Sequence, residues 1–150
     1  MKKFFFSLDT VLRYKEQILD NLKGEHARIL QKIRICEREI ESLEQERMDC
    51  SSEFGRKRER GMAINDIRTY ENYLEALRIK IIQKKQLLEE LMAEEEKKRE
   101  QVVEAKKETS SIEKLKERKI TEYNKQAQKE EERFIEEFVA TKNALAKISG

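Results

Sequence analysis

The chain contains no proline and no tryptophan. Glycine occurs four times, cysteine twice and histidine once. Proline lacks an N–H and its ring clashes with the preceding turn, so its absence removes any forced break in a helix. One histidine and two cysteines cannot supply a zinc constellation or a histidine-based catalytic set. Aromatics are 7% of residues and apolar residues 37%, thin material for a thick globular core. No stretch approaches the roughly 18 to 20 apolar residues of a membrane span. The 33 basic and 31 acidic residues nearly cancel and are interspersed rather than blocked, which argues against a dedicated nucleic-acid binder.

What is present is charge and helix formers. Asp, Glu, Lys and Arg make up 43% of the chain and are interspersed, the pattern of a solvated helix laced with i,i+4 pairs. Disorder is the competing reading of such a composition. Periodicity argues against it, because a disordered chain has no need of an apolar stripe.

A first stripe runs Leu8, Val11, Lys15, Ile18, Leu22, then through His26 to Ile29, Ile33, Cys36, Ile40, Leu43, Arg47, Cys50 and Phe54. Steps of three and four alternate as a heptad requires. The passage from Leu22 through His26 reads as a four-residue stutter with Gly24 inside it, a place for a bend or a partner contact. Ser7 is the expected N-cap, with Asp9 in the first turn. Gly55 and Gly61, enclosing Arg56-Lys57-Arg58-Glu59-Arg60, read as a turn, and Asn65 or Asp66 as the next cap. A second stripe follows: Ile67, Tyr70, Leu74, Leu77, Ile81, Lys84, Leu88, Leu91, Glu95, Lys98, Val102, Ala105, Thr109, Ile112. Leu115, Tyr123, Ala127, Phe134, Phe138 and Leu145 read as out of that phase.

The expected fold is therefore all-α: an antiparallel coiled-coil hairpin of two long helices, in a single domain over 1–150. Helix one covers about 7–54, the turn 55–65 and helix two about 66–147. The second helix is longer, overhanging and unpaired beyond about residue 112. With the turn near residue 60, Leu8 faces Ile112, and the paired part is about 70 to 75 Å long. Cys36 and Cys50 would be about 21 Å apart on one helix, too far for a disulfide, and fit a reducing compartment. The opening Met1-Lys2-Lys3-Phe4-Phe5-Phe6 imitates a signal peptide, but Asp9 arrives too soon, so a cytosolic location is expected.

No catalytic site is expected. Gly55 and Gly61 do not fit a phosphate-binding loop, since five residues separate them and Met62-Ala63 follows where Lys-Ser or Lys-Thr is needed. His26 falls on the stripe and reads as a core or partner-facing side chain. Nothing in the pattern singles out one carboxylate for acid–base work. The basic turn reads as a solvated tip, or as a small contact for an acidic protein or nucleic acid. Tyr70, Tyr73 and Leu77 lie within two turns; they read as rings packed along the stripe or as a partner patch.

Three segments resemble the flagellar export protein FliJ family. Phe4-Phe5-Phe6-Ser7-Leu8 with Val11-Leu12 and Lys15-Glu16 is similar to its F-x-L-x-x-V-L opening. Gly61 to Leu77 is similar to its segment after the hairpin turn. Ile112-Glu113-Lys114-Leu115-Lys116-Glu117-Arg118 with Glu122-Tyr123 is similar to its L-E-K-L-x-E motif. The resemblance implies a soluble, cytoplasmic, non-catalytic component of the type III export apparatus, held peripherally at the inner face of the cell membrane. It implies a stalk like that of rotary ATPases, seated at the hexameric export ATPase and reaching the membrane export-gate protein, with export chaperones as further partners. Carried over residue by residue, the ATPase-ring contact falls on Phe4, Phe5, Phe6, Leu8, Arg13, Glu16, Phe134 and Phe138. The export-gate contact falls on Tyr70, Tyr73 and Leu77, with Tyr73 matched by aromatic character. Cofactor, metal, nucleic acid and small-molecule ligand are not expected. A prefoldin-like holdase, a structural spacer and the related injectisome stalk remain the rival readings; the Arg-rich tip counts against the first.

Overall fold

The computed structural model describes residues 2–149 as two helices, α1 (Asp9–Arg60) and α2 (Ile64–Ser149). They pack as an antiparallel all-α hairpin in which α2 is the longer helix. Where the sequence suggested one domain, the chain divides into two compact units, Asp20–Val103 and Met1–Leu19 with Glu104–Gly150.

In the unit Asp20–Val103 the core cluster is Ile29, Ile33, Cys36 and Ile40 of α1 with Leu91 of α2, and Leu88 packed against it. Burying each such aliphatic side chain contributes about 1.5–3 kcal/mol. The Cys36 thiol donates to the Lys84 carbonyl at 3.4 Å. Phe54, Leu77 and Ile81 are buried nearer the turn. In the second unit Phe6, Leu12, Leu19 and Ala105 are buried. Thr109 is buried there too, its hydroxyl donating to the Ala105 carbonyl at 2.8 Å.

The seam of α1 runs through buried and half-buried Leu12, Lys15, Leu19, Leu22, His26, Ile29, Ile33, Cys36, Ile40, Leu43, Cys50 and Phe54, with half-buried Asp9, Ile18, Glu25 and Leu30 beside it. With exposed Arg47 in its place, steps of three and four alternate throughout. The expected stutter is therefore absent. Leu12 and Leu19 take the places assigned to Leu8, Val11 and Ile18; Leu8 and Val11 are exposed. An unbroken heptad keeps the same face toward the partner helix without local unwinding.

Along α2 every stripe position from Ile67 to Ile112 is buried or half-buried, as expected. The stripe then continues in phase through half-buried Lys116 and Tyr123. Tyr123 is thus in register, and pairing does not stop near residue 112. Lys116 Nζ meets Asp9 Oδ1 at 2.8 Å and Lys15 Nζ meets Glu108 Oε2 at 2.9 Å. Asp9, rather than the neighbouring Leu8, takes part in pairing, and it does so opposite Lys116 rather than Ile112.

The shift originates at the turn. Helix α1 does not stop at Gly55 but runs on to Arg60, and the connection is Gly61, Met62 and Ala63. A single glycine weakens a helix by about 1 kcal/mol without breaking it. Gly61 carries the left-handed conformation, φ +94°, and its N–H closes the last turn on the Arg58 carbonyl at 3.2 Å. At the start of α2 the Ala63 carbonyl accepts from the Ile67 N–H, so Asn65 and Asp66 lie inside the first turn rather than at the cap. Asp66 there favours the positive helix end. At the start of α1 the Leu8 carbonyl, not Ser7, takes the capping position and accepts from the Leu12 N–H at 2.8 Å.

A Cβ added to Gly24 or Gly55 meets nothing within 4 Å. Gly24→Ala and Gly55→Ala should each stabilise the fold by about 0.5–1 kcal/mol. Gly61→Ala should destabilise it by about 1–2 kcal/mol. Thermal melts followed by circular dichroism check the opposite signs.

Candidate interaction surfaces

In the unit Asp20–Val103, two tyrosines stand side by side on α2 in different states. Tyr70 is half-buried, its ring edge-on to Phe54 with centroids 5.2 Å apart. Its hydroxyl accepts from Lys57 Nζ at 2.8 Å, and that ammonium also lies 3.0 Å from Glu53 Oε1. The hydrogen bond to Tyr70, followed by the Glu53 carboxylate, pushes the Lys57 ammonium up to about 12. The same lysine holds Glu53 below the usual carboxylate range. Tyr73 is exposed, and its hydroxyl donates to Glu46, which holds the phenol above its ordinary value. Leu77 is 2% exposed and lies within the stripe rather than offering a surface.

An open groove beside them is lined by Glu46, Asp49, Cys50, Glu53, Thr69, Tyr70 and Tyr73. Burial, then the Glu53 and Glu46 carboxylates, pushes the Cys50 thiol up. It stays protonated and unreactive there. Cys36 and Cys50 are both free. His26, on the stripe, meets Glu95 across the hairpin at 2.9 Å. Lys98 Nζ meets Glu25 Oε2 at 2.7 Å, and its donated hydrogen bond holds Glu25 low.

The other unit holds the chain's N-terminal aromatics. Residues 2–6 precede the helix; Phe6 is buried, and Phe4 packs edge-on against Tyr123 with centroids 5.5 Å apart. The Tyr123 hydroxyl donates to the Lys2 carbonyl at 2.6 Å. Phe4 and Phe6 therefore serve largely to hold this segment to α2. Phe5 is 84% exposed, and Leu8, Arg13 and Glu16 are exposed as well. Arg13 lies 3.6 Å from Asp9, whose carboxyl is held low chiefly by the Lys116 hydrogen bond.

Farther along α2, every described residue from Gln128 onward is exposed. Phe134 is 68% and Phe138 61% exposed, with Leu145 and Ile148 also open. Phe134, Phe138, Thr141, Leu145 and Ile148 recur in steps of four, three, four and three. This is a second heptad stripe, exposed along its length among the described residues. Sequence reading marked the two phenylalanines but missed the stripe, because it measured Leu145 against the first register. It also missed the packing of Phe4 on Tyr123, which heptad spacing does not signal.

The family model for the flagellar FliJ protein matches residues 4–146, nearly the whole chain. The chain belongs to the FliJ family. It is thereby a coiled-coil protein of flagellar export, in a family of non-enzymatic structural and export components. No curated protein and no solved structure matches it. The FliJ match takes in Phe4, the tyrosine pair and both exposed phenylalanines. Among the described residues no three His, Cys, Asp or Glu side chains converge as metal ligands. Among them, too, no helix is long and apolar enough to cross a membrane.

The pairs have a signed pH consequence. Asp9, Glu25 and Glu53 titrate below their ordinary values, so their stabilisation is present above about pH 5 and lost as pH falls through the folded values. Lys15 and Lys57 titrate above theirs, so their share is present below about pH 10 and lost as pH rises through the folded values. The melting temperature should be flat between these limits and fall at both ends. Asp9→Asn should flatten the acid limb; an unchanged acid limb in that variant would remove Asp9–Lys116 from the account.

Proposed function

We propose that this chain is the non-catalytic coiled-coil stalk of the bacterial flagellar type III export apparatus. In this reading it binds the hexameric export ATPase, promotes its turnover, and links it to the membrane export gate. Its place is cytoplasmic, at the inner face of the membrane through those partners. Export chaperones are a further class of partner.

The observation that carries the reading is the open stripe of Phe134, Phe138, Leu145 and Ile148. A lone helix gains little from its own hydrogen bonds and needs a partner to bury an apolar face. Clustered exposed phenylalanines are the material of a binding hot spot. Phe5, Leu8, Arg13 and Glu16 supply the remaining ring contacts. On the gate side, the exposed Tyr73 ring, its hydroxyl held by Glu46, makes the contact beside half-buried Tyr70 and buried Leu77. A two-helix coil lacks six-fold symmetry. Inside a ring of six it touches subunits unequally and biases their nucleotide states, which is a coupling free energy rather than a chemical step.

The test measures turnover of the matching hexamer with the full chain, with a chain ending at Ala127, and with a Phe134→Ala/Phe138→Ala variant. The full chain should stimulate; the shortened one should not, while keeping its helical hairpin, since residues 128–149 bury nothing. The double variant should bind about tenfold to a hundredfold more weakly. Tyr73→Ala should keep stimulation and lose gate binding. A shortened chain that stimulates and binds like the full one would end the ring assignment of this stripe.

A further inference from the structure

The turn between the helices carries a feature that the stalk reading leaves unused. Arg56, Arg58 and Arg60 close α1, and Arg68 opens α2; all four are exposed. Among the described residues none of the four is in an ion pair. With Lys57 they make five cations against Glu59 and Asp66 over 55–68. At the apex, Ile64 is 70% exposed beside half-buried Met62. An open groove there is lined by Lys57, Arg60, Met62, Asp66 and Tyr70 among others.

Helix stability explains only part of this. Lys57, Arg58 and Arg60 lie in the last turn of α1, where cations suit the negative helix end. Arg56 precedes that turn. Arg68 sits near the start of α2, where the dipole favours anions instead. Ile64 is an apolar, β-branched residue held out in water at the first position of a helix, and it contributes neither packing nor capping there.

We propose that the hairpin tip is an interfacial anchor for an anionic lipid bilayer. Ile64 and the Met62 side chain enter the boundary between headgroups and acyl chains, and the guanidinium groups of Arg56, Arg58, Arg60 and Arg68 bind lipid phosphates. Apolar apex and cationic collar together select this partner. Nucleic acid would want more charge and exposed aromatics for stacking. An acidic protein patch would satisfy the arginines without a use for an isoleucine at the apex. The excess of three positive charges and two inserted apolar side chains make a reversible contact, not a permanent anchor. The inference does not depend on the ATPase contact, which concerns the other unit.

The test is co-sedimentation of the full chain with phosphatidylcholine vesicles, pure or containing about one third phosphatidylglycerol. At low salt, partition onto the anionic vesicles should exceed that onto the neutral ones by about a hundredfold, and fall steeply as salt rises. Arg56→Glu/Arg58→Glu/Arg60→Glu should abolish the preference. Ile64→Ser should reduce partition several-fold at unchanged helix content. Equal partition onto both vesicles, or a triple variant that binds like the parent, would overturn the proposal. So would undiminished vesicle binding by Ile64→Ser, which would leave only charge and return the tip to an acidic protein partner. No ATPase is present, so failure here leaves the stalk reading standing, and failure of that reading leaves this one standing.

Discussion

The structure depends on a narrow stripe that repeats every three and four residues on α1 and meets its counterpart on α2. Neither helix has a core of its own, so each apolar side chain is buried only if the two are aligned in one register. A chain with so little apolar material has no alternative interior to fall back on. The register therefore decides which residues are structural and which are left for other molecules. Leu12 and Leu19 are inside because Leu8 and Val11 are not. Tyr73 is outside because the stripe passes through Tyr70 and Leu77, and one heptad seam is too narrow for a neighbouring ring.

Polar members of the stripe set that register as much as apolar ones. His26 opposite Glu95, Lys98 with Glu25, Lys15 with Glu108 and Lys116 with Asp9 occur at or beside stripe positions. Aliphatic residues in these places would pack more tightly but would also pack in shifted alignments. A charge or imidazole displaced by one heptad loses its partner while half-desolvated, which penalises the wrong alignment more than it stabilises the right one. Each exposed pair adds little alone. Their value lies in being distributed along the hairpin, so that every unit has its own.

The second helix was readable almost residue by residue, because a single heptad spacing runs unbroken from Ile67 to Ile112 and its apolar members outnumber the polar ones. The first helix was ambiguous at its start. Leu8 and Val11 compete with Leu12 and Leu19, and both sets satisfy local spacing. The decision comes from outside the helix, from an N-terminal segment that buries Phe6 and lays Phe4 against Tyr123. A periodicity rule has no means of seeing a non-helical strap. Gly55 misled for a related reason: its local penalty is real, but Phe54 buried on one side and helix continuing on the other outweigh it, and the chain turns at Gly61 instead. Of the residues carried over by resemblance, Phe5, Leu8, Arg13, Glu16, Tyr73, Phe134 and Phe138 are at the surface, whereas Phe6 and Leu77 are packed inside. Family likeness locates a segment; burial alone distinguishes the residue that touches a partner from the one that holds it up.

The phase of α2 beyond its paired part follows from helix geometry. Tyr123 closes the first stripe, and Phe134 opens the second eleven residues later. Eleven residues are close to three turns of a straight helix, whereas a heptad repeat needs the helix wound around a partner. An eleven-residue step relaxes the supercoil locally while keeping the apolar face on nearly the same side. The helix thus passes from a segment bound by α1's winding to one that carries a fresh heptad stripe, free to adopt the crossing angle of whatever it meets. Carried on past Tyr123, the first register would fall on Arg133 and Glu137, so Phe134 and Phe138 lie one residue behind it. Helix α1 begins at Asp9, opposite Lys116, so Phe134 and Phe138 lie past the pairing and are exposed.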